Sequence, residues 1–215
     1  MKKLYVVGNR ASKSLSPTIF NYWFKKYNIK ASYGYLELTE KNFHKKIKEV
    51  LEKKDTFGLN VTIPFKNKII KYLSKIDTHA KKIGAVNCVT NKKTINGTNT
   101  DWTGYYKTLP NIKKTINRKV IILGYGGASH AIHYVLKKRG FKDILIFNRS
   151  KKKIKYSKKT EYTKTYNDLE RHLEGVFLII NTTPINPILK KHLKLIAKST
   201  ICKRHCLQHK KHLIS

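Results

Sequence analysis

Apolar residues recur along the first half of the chain with two spacings, one typical of strands and one typical of helices. Phe43, Ile47, Val50 and Leu51 fall at i, i+4, i+7 and i+8, the stripe of an amphipathic helix. A helix start is predicted at Ser16, because its hydroxyl can cap the helix and the following proline suits the first turn. The full pattern predicts strands over 3–8, 31–38, 57–61, 85–90 and 93–97, and helices over 16–27, 43–51 and 65–73.

The second half of the chain has the pattern of a βαβ unit. Residues 120–123 form a short, wholly apolar run that glycines follow directly, as expected of a buried parallel strand. A linking helix over 102–109, a helix over 126–139 and strands over 144–147 and 176–180 complete the prediction. Strands that alternate with helices indicate a parallel sheet, so the expected fold class is α/β. We predict an amino-terminal α/β domain over 1–102, a Rossmann-like domain with a parallel sheet over 103–198, and an atypical tail over 199–215.

The chain is strongly basic, with 47 lysine and arginine residues against 12 aspartate and glutamate residues and a formal net charge of +35. Clustered cations would indicate nucleic-acid binding, because they release counterions from phosphate. The lysines are instead spread along the whole chain together with abundant Asn, Ile and Tyr, as AT-rich coding would produce. We therefore expect a solvated basic surface and no nucleic-acid partner. The alternative, a basic nucleic-acid-binding module, predicts an affinity that falls steeply with salt.

Targeting and redox features favour a cytoplasmic protein. No apolar run approaches the roughly 18 to 20 residues of a membrane span, so we expect no membrane partner, and the amino terminus lacks the pattern of a secretory signal. Cys88, Cys202 and Cys206 are an odd number of cysteines, which suits free thiols better than a disulfide framework. The sequence leaves a homodimer open.

A glycine-rich loop is the first indication of chemistry. Gly124, Gly126, Gly127, Ala128 and Ser129 follow a predicted strand and open a predicted helix. Backbone N–H groups and the positive end of a helix can bind a pyrophosphate in such a loop. Ser129 stands where the dinucleotide-binding fingerprint prefers a third Gly or Ala, and a plain tight turn is the alternative.

The residues after the next predicted strand indicate which dinucleotide is bound. Asn148, Arg149 and Ser150 stand where an NAD-binding fold places an acid for the ribose 2′-hydroxyl, and none of them is acidic. Arg149 offers a planar cation suited to a 2′-phosphate, and Ser150 adds a hydroxyl donor. The predicted cofactor is therefore NADP rather than NAD. The alternative is that Arg149 stacks on the adenine or lies on the surface.

Before the glycine loop, the chain has one lysine and one aspartate on predicted turns that have glycines at their ends. They are Lys66, at the end of the run that begins at Asn60, and Asp101, which follows Asn99 and Thr100. In hydride transfer the cofactor carries the hydride and the protein must move one proton. Lys66 and Asp101 are the candidate catalytic residues for that proton transfer.

Several separate motifs resemble those of the shikimate dehydrogenase family. In chain order they are Ser14-Leu15-Ser16-Pro17, Asn60 to Lys66, Gly84 to Asn87, Gly97 to Asp101, Gly124 to Ser129, Asn148 to Ser150, and Asn181 to Pro184. The resemblance covers about residues 3–201. It implies an NADP-dependent oxidoreductase in which a substrate domain precedes an NADP-binding domain. It also implies the reaction, the reversible reduction of 3-dehydroshikimate to shikimate in the shikimate pathway, on the route to chorismate and the aromatic amino acids.

The resemblance further implies how a small-molecule substrate is held. Ser14 and Ser16 correspond to the two serine hydroxyls that bind the substrate carboxylate in the family. Thr62 and Asn87 correspond to residues that complete the contacts to the substrate hydroxyls.

The same resemblance implies the catalytic roles. Lys66 corresponds to the general acid that protonates the ketone oxygen and acts as the base in reverse, while Asp101 corresponds to the carboxylate that holds and polarises the network. Thr182 lies in a segment that resembles the one leading to the nicotinamide.

The carboxyl terminus departs from the family pattern, which continues with a strand, a helix and terminal helices. The cysteines and histidines of the tail lie among three lysines and one arginine over 202–212, with no obvious fold to fix tetrahedral geometry, so we expect no metal site. Back-translation with AT-rich codons, shifted by one base, restores a family-like segment. We therefore hypothesise a frameshift near 201–203, which the nucleotide sequence would refute if no continuation encoding the terminal helices lies downstream.

Two alternatives to this function stay open at the level of sequence. One is an enzyme of the same fold that acts on quinate as well as shikimate and has a relaxed choice of cofactor. The other is a non-catalytic binding remnant, which the altered terminus favours and the retention of Lys66 and Asp101 disfavours.

Overall fold

The chain divides into two units in the computed structural model, Met1–Thr103 and Gly104–Ser215. The structure describes residues 1–109, 117–154, 160–184, 187–188, 190–196 and 200–204. Each unit contains its own sheet, and helices accompany both sheets. The predicted α/β fold class is confirmed.

The sheet of the first unit has six strands. They are β1 (Lys2–Gly8), β2 (Ala31–Glu37), β3 (Thr56–Val61), β4 (Lys75–Ile76), β5 (Cys88–Asn91) and β6 (Ile95–Thr98). Their order across the sheet is β2-β1-β3-β5-β6-β4. β1 lies parallel to β2 and β3, whereas β5 runs antiparallel to both β3 and β6. The helices are α1 (Ser16–Lys26), α2 (Phe43–Leu51) and α3 (Thr78–Ile83), with short 3-10 helices at Ala11–Lys13 and Ile69–Tyr72. Helix α4 (Asp101–Thr108) begins in this unit and ends in the second.

Helix α2 supplies much of the core of the first unit. Phe43, Ile47, Val50 and Leu51 are all buried, which confirms the predicted stripe. Phe43 stacks on Phe65, with ring centroids 4.2 Å apart and ring planes 11° from parallel. Close aromatic packing of this kind anchors the helix to the segment that follows β3.

The predicted helix over 65–73 is wrong. Phe65 and Ile69 are spaced as in a helix, and both are fully buried, with 0% exposure. The carbonyl of Lys66 accepts a hydrogen bond from the N–H of Val86 at 2.8 Å, so it is bonded across the fold. The N–H of Ile69 donates to the Phe65 carbonyl at 3.0 Å, but an α-helix needs a run of such bonds, and the segment continues only as the 3-10 helix Ile69–Tyr72.

Helix α3 is absent from the prediction, although its ends carry ordinary signals. Asp77 accepts hydrogen bonds from the backbone N–H groups of His79 and Ala80, at 2.7 and 3.0 Å, as a helix cap does. Gly84 ends the helix in the left-handed region, with φ of 69°. The helix has only six residues, so its apolar period is too short to stand out.

The second unit holds a five-stranded sheet in which every pairing is parallel. Its strands are β7 (Lys119–Leu123), β8 (Ile144–Asn148), β9 (Lys164–Thr165), β10 (Val176–Asn181) and β11 (Ile201–Arg204), in the order β11-β10-β7-β8-β9. Helix α5 (Gly127–Lys138) follows β7. Short 3-10 helices cover Tyr166–Asp168, Glu170–His172 and Lys190–Leu195. The central strands β7 and β10 are almost wholly buried, as parallel strands covered on both faces require.

Strand β11 was not expected from the sequence. It pairs parallel with β10, with Ile201 opposite Leu178 and Arg204 opposite Asn181. The tail therefore begins as an edge strand of the second sheet. The remaining tail residues, 205–215, lie outside the described residues, and so does most of the Cys/His run.

In the described ranges, no helix is long and apolar enough to cross a membrane. No group of three or more His, Cys, Asp or Glu side chains in those ranges could hold a metal ion.

Substitution of Ile47 by alanine should destabilise the first unit strongly. Ile47 is fully buried, so the change leaves a cavity, and we expect the free energy of unfolding to fall by about 2–5 kcal/mol. Ile19→Ala is the matched control, because Ile19 also lies in a helix but is 43% exposed. It should change stability by no more than about 0.5 kcal/mol. Denaturant unfolding of both variants measures the difference, and equal losses would contradict the placement of the core.

Candidate active site and cofactor loop

Lys66 and Asp101 form an ion pair in the first unit. Nζ of Lys66 lies 2.7 Å from Oδ2 of Asp101, and the two side chains are only 13% and 19% exposed. Lys66 lies in the turn after β3, and Asp101 is the first residue of α4. A pair this sheltered is less screened by salt than one on the open surface. The structure thus brings together the two predicted catalytic residues.

Two asparagines hold Asp101 in place. Nδ2 of Asn87 donates to Oδ1 of Asp101 at 2.8 Å. Oδ1 of Asn99 accepts from the backbone N–H groups of Asp101 and Trp102, at 3.0 and 3.3 Å, and its Nδ2 donates to the Ala85 carbonyl at 2.9 Å. Asn99 is 3% exposed. No role was predicted for it, although an Asn two residues ahead of a helix start is a recognisable capping signal.

Asn87 has little capacity left for a ligand in this arrangement. Its Nδ2 carries two hydrogens, which go to Asp101 and to Oγ1 of Thr100 at 3.0 Å. Its Oδ1 accepts from the Thr100 N–H at 2.7 Å. Direct contact with a substrate hydroxyl would have to replace one of these bonds, and Thr100 is the exposed partner. The predicted substrate contact by Asn87 stays a prediction.

The Lys66 ammonium has spare hydrogen-bonding capacity. It carries three N–H donors, and the bond to Asp101 uses one. Another can therefore point at the oxygen of a ligand while the carboxylate keeps the ammonium oriented. This geometry suits proton transfer to or from a bound oxygen.

The serine turn lies at the start of α1, and its capping differs from the prediction. Ser16 makes no side-chain cap, and Leu15 occupies the capping position. The Ser14 hydroxyl instead accepts from the N–H of Ser16 at 3.2 Å and donates to the Ser16 hydroxyl at 3.1 Å. The helix start is confirmed, but the capping hydroxyl belongs to Ser14. Both serines are half-buried.

Thr62 follows β3, and a glycine makes room for it. Its N–H donates to the Val7 carbonyl at 2.8 Å, which continues the pairing of β3 with β1. A Cβ built on Gly8 would lie 2.4 Å from Cγ2 of Thr62, so only glycine fits there.

Sheet topology explains why these residues gather at one edge. Thr62 and Lys66 follow the carboxyl end of β3, and the serine turn follows β1. Because Cys88 pairs with Asn60 and with Thr98, the start of β5 and the end of β6 lie at the same edge as the end of β3. Ligands of α/β sheets bind outside the carboxyl ends of the parallel strands.

The glycine loop of the second unit uses its glycines for different reasons. Gly124 has φ of 97°, and a Cβ there would lie 2.6 Å from Oγ1 of Thr182 and 2.7 Å from Cγ2 of Thr183. Gly126 has φ of −115° and precedes α5, and a Cβ there would meet nothing within 4 Å. Gly124 is therefore needed for the fold of the loop, whereas Gly126 leaves open space at the start of a helix, where a phosphate can approach the backbone.

Gly127, Ala128 and Ser129 form the first turn of α5, whose leading N–H groups have no partner within the helix. The Ser129 side chain is 0% exposed, and its Oγ has no hydrogen-bond partner among the described residues. The helix packs closely on the sheet at this position, which accounts for a small residue there. The Ser129 hydroxyl is thus inside the unit, away from solvent.

The segment after β8 is held in place by its own polar groups. Asn148 donates through Nδ2 to the carbonyl of Ser150 at 2.9 Å. Thr163, which is 1% exposed, donates to the same carbonyl at 3.3 Å and accepts from the N–H of Lys152 at 2.9 Å. Arg149 and Ser150 themselves are exposed. Thr163 was not predicted to contribute, because it lies far along the chain from the loop it holds.

Thr182 lies beside the glycine loop. Its Oγ1 and its N–H both donate to the Leu123 carbonyl, at 2.7 and 2.8 Å. Since β10, β7 and β8 are neighbours in the sheet, Thr182, Gly124 and Asn148 all lie at the carboxyl ends of adjacent parallel strands. This is the edge where dinucleotides bind in doubly wound sheets.

These two sheets define a class: α/β proteins with a mixed-sheet first domain and a Rossmann-like second one. Residues 6–89 match the sequence model of the shikimate dehydrogenase substrate binding domain. The chain is 36% identical over 207 residues to shikimate dehydrogenase (NADP(+)) of Clostridium botulinum strain Hall, a match covering 94% of this chain and 78% of that protein. The chain belongs to the shikimate dehydrogenase family, which confirms the resemblance found in the motifs.

Other similar proteins extend the comparison. Shikimate dehydrogenase of Thermotoga petrophila is 37% identical over 148 residues, which cover 69% of this chain and 55% of that relative. The crystal structure of shikimate dehydrogenase 1 from Peptoclostridium difficile has a TM-score of 0.77 at 26% identity, covering 94% of this chain and 86% of that one. The chain thus matches little more than half the length of the Thermotoga relative.

Alanine at Gly124 should destabilise the second unit, whereas alanine at Gly126 should be tolerated. Gly124→Ala combines a left-handed φ with a collision against Thr182, so we expect a loss of about 2 kcal/mol or more in unfolding free energy. In Gly126→Ala the added methyl group would have no atom within 4 Å, and only the capping residue of α5 changes. We expect the free energy of unfolding to fall by less than about 1 kcal/mol. Thermal and denaturant unfolding of the two variants checks the contrast, and a reversed order of stability would refute this account of the loop.

Proposed function

We propose that the protein is an NADP-dependent shikimate dehydrogenase, an oxidoreductase that acts on a CH–OH group and reversibly reduces 3-dehydroshikimate to shikimate. The observation that carries the proposal is the sheltered Lys66–Asp101 pair at a carboxyl sheet edge of a chain that also contains a dinucleotide-type glycine loop. The names of the similar proteins support it. The reaction belongs to the shikimate pathway and so to aromatic amino acid biosynthesis. We further propose a cytoplasmic location and leave a homodimer open.

Lys66 moves the proton in this proposal. When the ketone is reduced, its oxygen gains negative charge and Lys66 donates a proton to it; in the reverse direction Lys66 accepts the proton of the hydroxyl. Asp101 keeps the ammonium aimed at the reacting oxygen through the 2.7 Å bond. Asn87 keeps the carboxylate from turning away, and Asn99 holds the backbone of Asp101.

The serine turn suits the carboxylate of the substrate. Ser14 and Ser16 are half-buried and only 3.1 Å apart at their hydroxyl oxygens, so both can donate to one carboxylate group. Neutral hydroxyls bind the anion without competing with Lys66 for Asp101. Thr62 and Asn87 lie at the same edge of the sheet and can reach the ring hydroxyls.

The hydrogen-bond donors of the second unit suit the phosphate groups of NADP. When bound, the nicotinamide cofactor supplies the hydride. Gly126 leaves room for the pyrophosphate at the N–H groups of Gly127 and Ala128. Exposed Arg149 and Ser150 offer charged and neutral donors where an NAD-binding site would have an acid.

Loss of Lys66 should abolish most of the activity. Lys66→Ala removes the general acid, and we expect kcat for NADP-dependent oxidation of shikimate to fall about 10²- to 10⁴-fold. The assay follows the absorbance of NADPH in the purified full chain. Lys68→Ala is the matched control, because Lys68 lies in the same turn, is 38% exposed and pairs with Glu40 away from Asp101. Its kcat should be unchanged.

The same assay separates the alternatives. A wild-type chain that folds and binds NADPH and shikimate without turnover would be the non-catalytic remnant. Turnover that survives in Lys66→Ala would remove Lys66 from the mechanism.

Arg149 should decide the preference for NADP. Arg149→Ala removes a charge-assisted bond to the 2′-phosphate, so the KM for NADP should rise about ten- to a hundredfold. The KM for NAD, which lacks that phosphate, is the internal control and should stay the same. Equal changes for both cofactors would show that Arg149 acts on the adenine or on the loop as a whole.

A further inference from the structure

Tyr33 of β2 is held by contacts that do not involve its hydroxyl. Only 4% of Tyr33 is exposed, and its ring stacks on Phe20 with centroids 4.7 Å apart and planes 7° from parallel. The Asn21 side chain donates to the Tyr33 carbonyl at 2.8 Å and accepts from its N–H at 2.9 Å. β2 is an edge strand, so Asn21 takes the place of a missing strand partner. Ring and backbone are therefore fixed to helix α1, the helix that begins at Ser16.

The hydroxyl of Tyr33 is directed into the polar residues of the candidate site. It donates to Oδ1 of Asn60 at 2.6 Å. Burial, with a smaller contribution from Cys88, raises the pKa of Tyr33, while hydrogen bonding with Ser16 lowers it to a lesser extent. The phenol therefore keeps its proton. That single proton goes to Asn60.

The bond from Tyr33 determines which way the Asn60 amide faces. The carbonyl of Asn87 can only accept, and it lies 3.5 Å from Nδ2 of Asn60, so the oxygen of the amide must be the atom that meets Tyr33. A contact of 3.5 Å is weak. The 2.6 Å bond is thus the interaction that orients Asn60, and it keeps the NH₂ group on the side of Asn87, at the carboxyl end of β3.

We infer that Tyr33 is a positioning residue for substrate binding, one that links helix α1 to the ring-binding end of the site. Its hydroxyl holds the Asn60 amide with the NH₂ donor towards the substrate. This inference rests on the proposed function, because it assumes that shikimate occupies this edge of the sheet. Fixed donors lower the ordering cost of binding a polyol, so the effect appears in affinity more than in the rate of the chemical step.

The test uses the full chain with Tyr33→Phe, which removes one oxygen and keeps both the ring stack and the Asn21 bonds. Calorimetric titration with shikimate should give a Kd about tenfold higher than that of the wild type, and KM should rise to match. The value of kcat and the Kd for NADPH should be unchanged. Tyr35→Phe is the matched control, because Tyr35 lies in the same strand and is 54% exposed. It should behave as the wild type in every assay.

A double substitution tests the proposed route through Asn60. In an Asn60→Ala background there is no amide to orient, so adding Tyr33→Phe should raise the Kd for shikimate by less than about twofold. An undiminished tenfold effect in that background would overturn the inference. So would a Tyr33→Phe variant that binds shikimate as the wild type does, or one that loses thermal stability with no change in Kd.

Failure of the proposed function gives a different result. A wild-type chain that is folded but neither binds nor oxidises shikimate would refute the function, and the inference about Tyr33 would fall with it. Shikimate binding by the wild type together with an unchanged Tyr33→Phe variant would refute the inference alone.

Discussion

The bond between Lys66 and Asp101 is the interaction on which the rest of the first unit depends. It joins the turn after β3 to the start of α4. Asn87 donates to the carboxylate from the segment before β5, and Asn99 accepts from the backbone N–H of Asp101. The sheet must therefore bring three pieces of chain to one edge: the turn after β3, the segment before β5 that carries Asn87, and the start of α4 with Asn99 and Asp101. Gly97 lies at the same edge, and a Cβ there would lie 2.3 Å from Cδ1 of Leu73 and 3.1 Å from the Cγ atoms of Val86, so these side chains would have to shift.

Regular spacing of apolar residues within single segments is sufficient to predict much of the fold. The elements that it predicts wrongly depend on hydrogen bonds between distant parts of the chain. The stripe of α2 and the apolar run of β7 could be predicted because each is a complete period within one segment. The segment 65–73 has the same spacing but is bonded to Val86, a contact that no window along the chain contains. The motifs indicate Lys66 and Asp101. They do not predict a role for Tyr33, because its partner Asn60 lies 27 positions further along the chain.

The second unit shows the same division between local and distant requirements. The glycine motif predicts the turn between β7 and α5, but it does not say which glycine serves the fold and which serves a ligand. That distinction depends on Thr182, 59 positions beyond the Leu123 carbonyl that it contacts. The Thr182 hydroxyl adds a second bond to the carbonyl that its own N–H already contacts and so holds β10 against β7, and the space left beside Gly124 is too small for any Cβ.

Charge and local geometry have separate tasks in this protein. A net charge of +35 attracts anions of every kind, and both proposed ligands are anions. Such attraction is screened beyond about 8 Å at physiological salt, so it cannot select one anion over another. Selection must come from donors at fixed positions. In the first unit these donors are neutral hydroxyls and amides, so Lys66 stays paired with the carboxylate of Asp101.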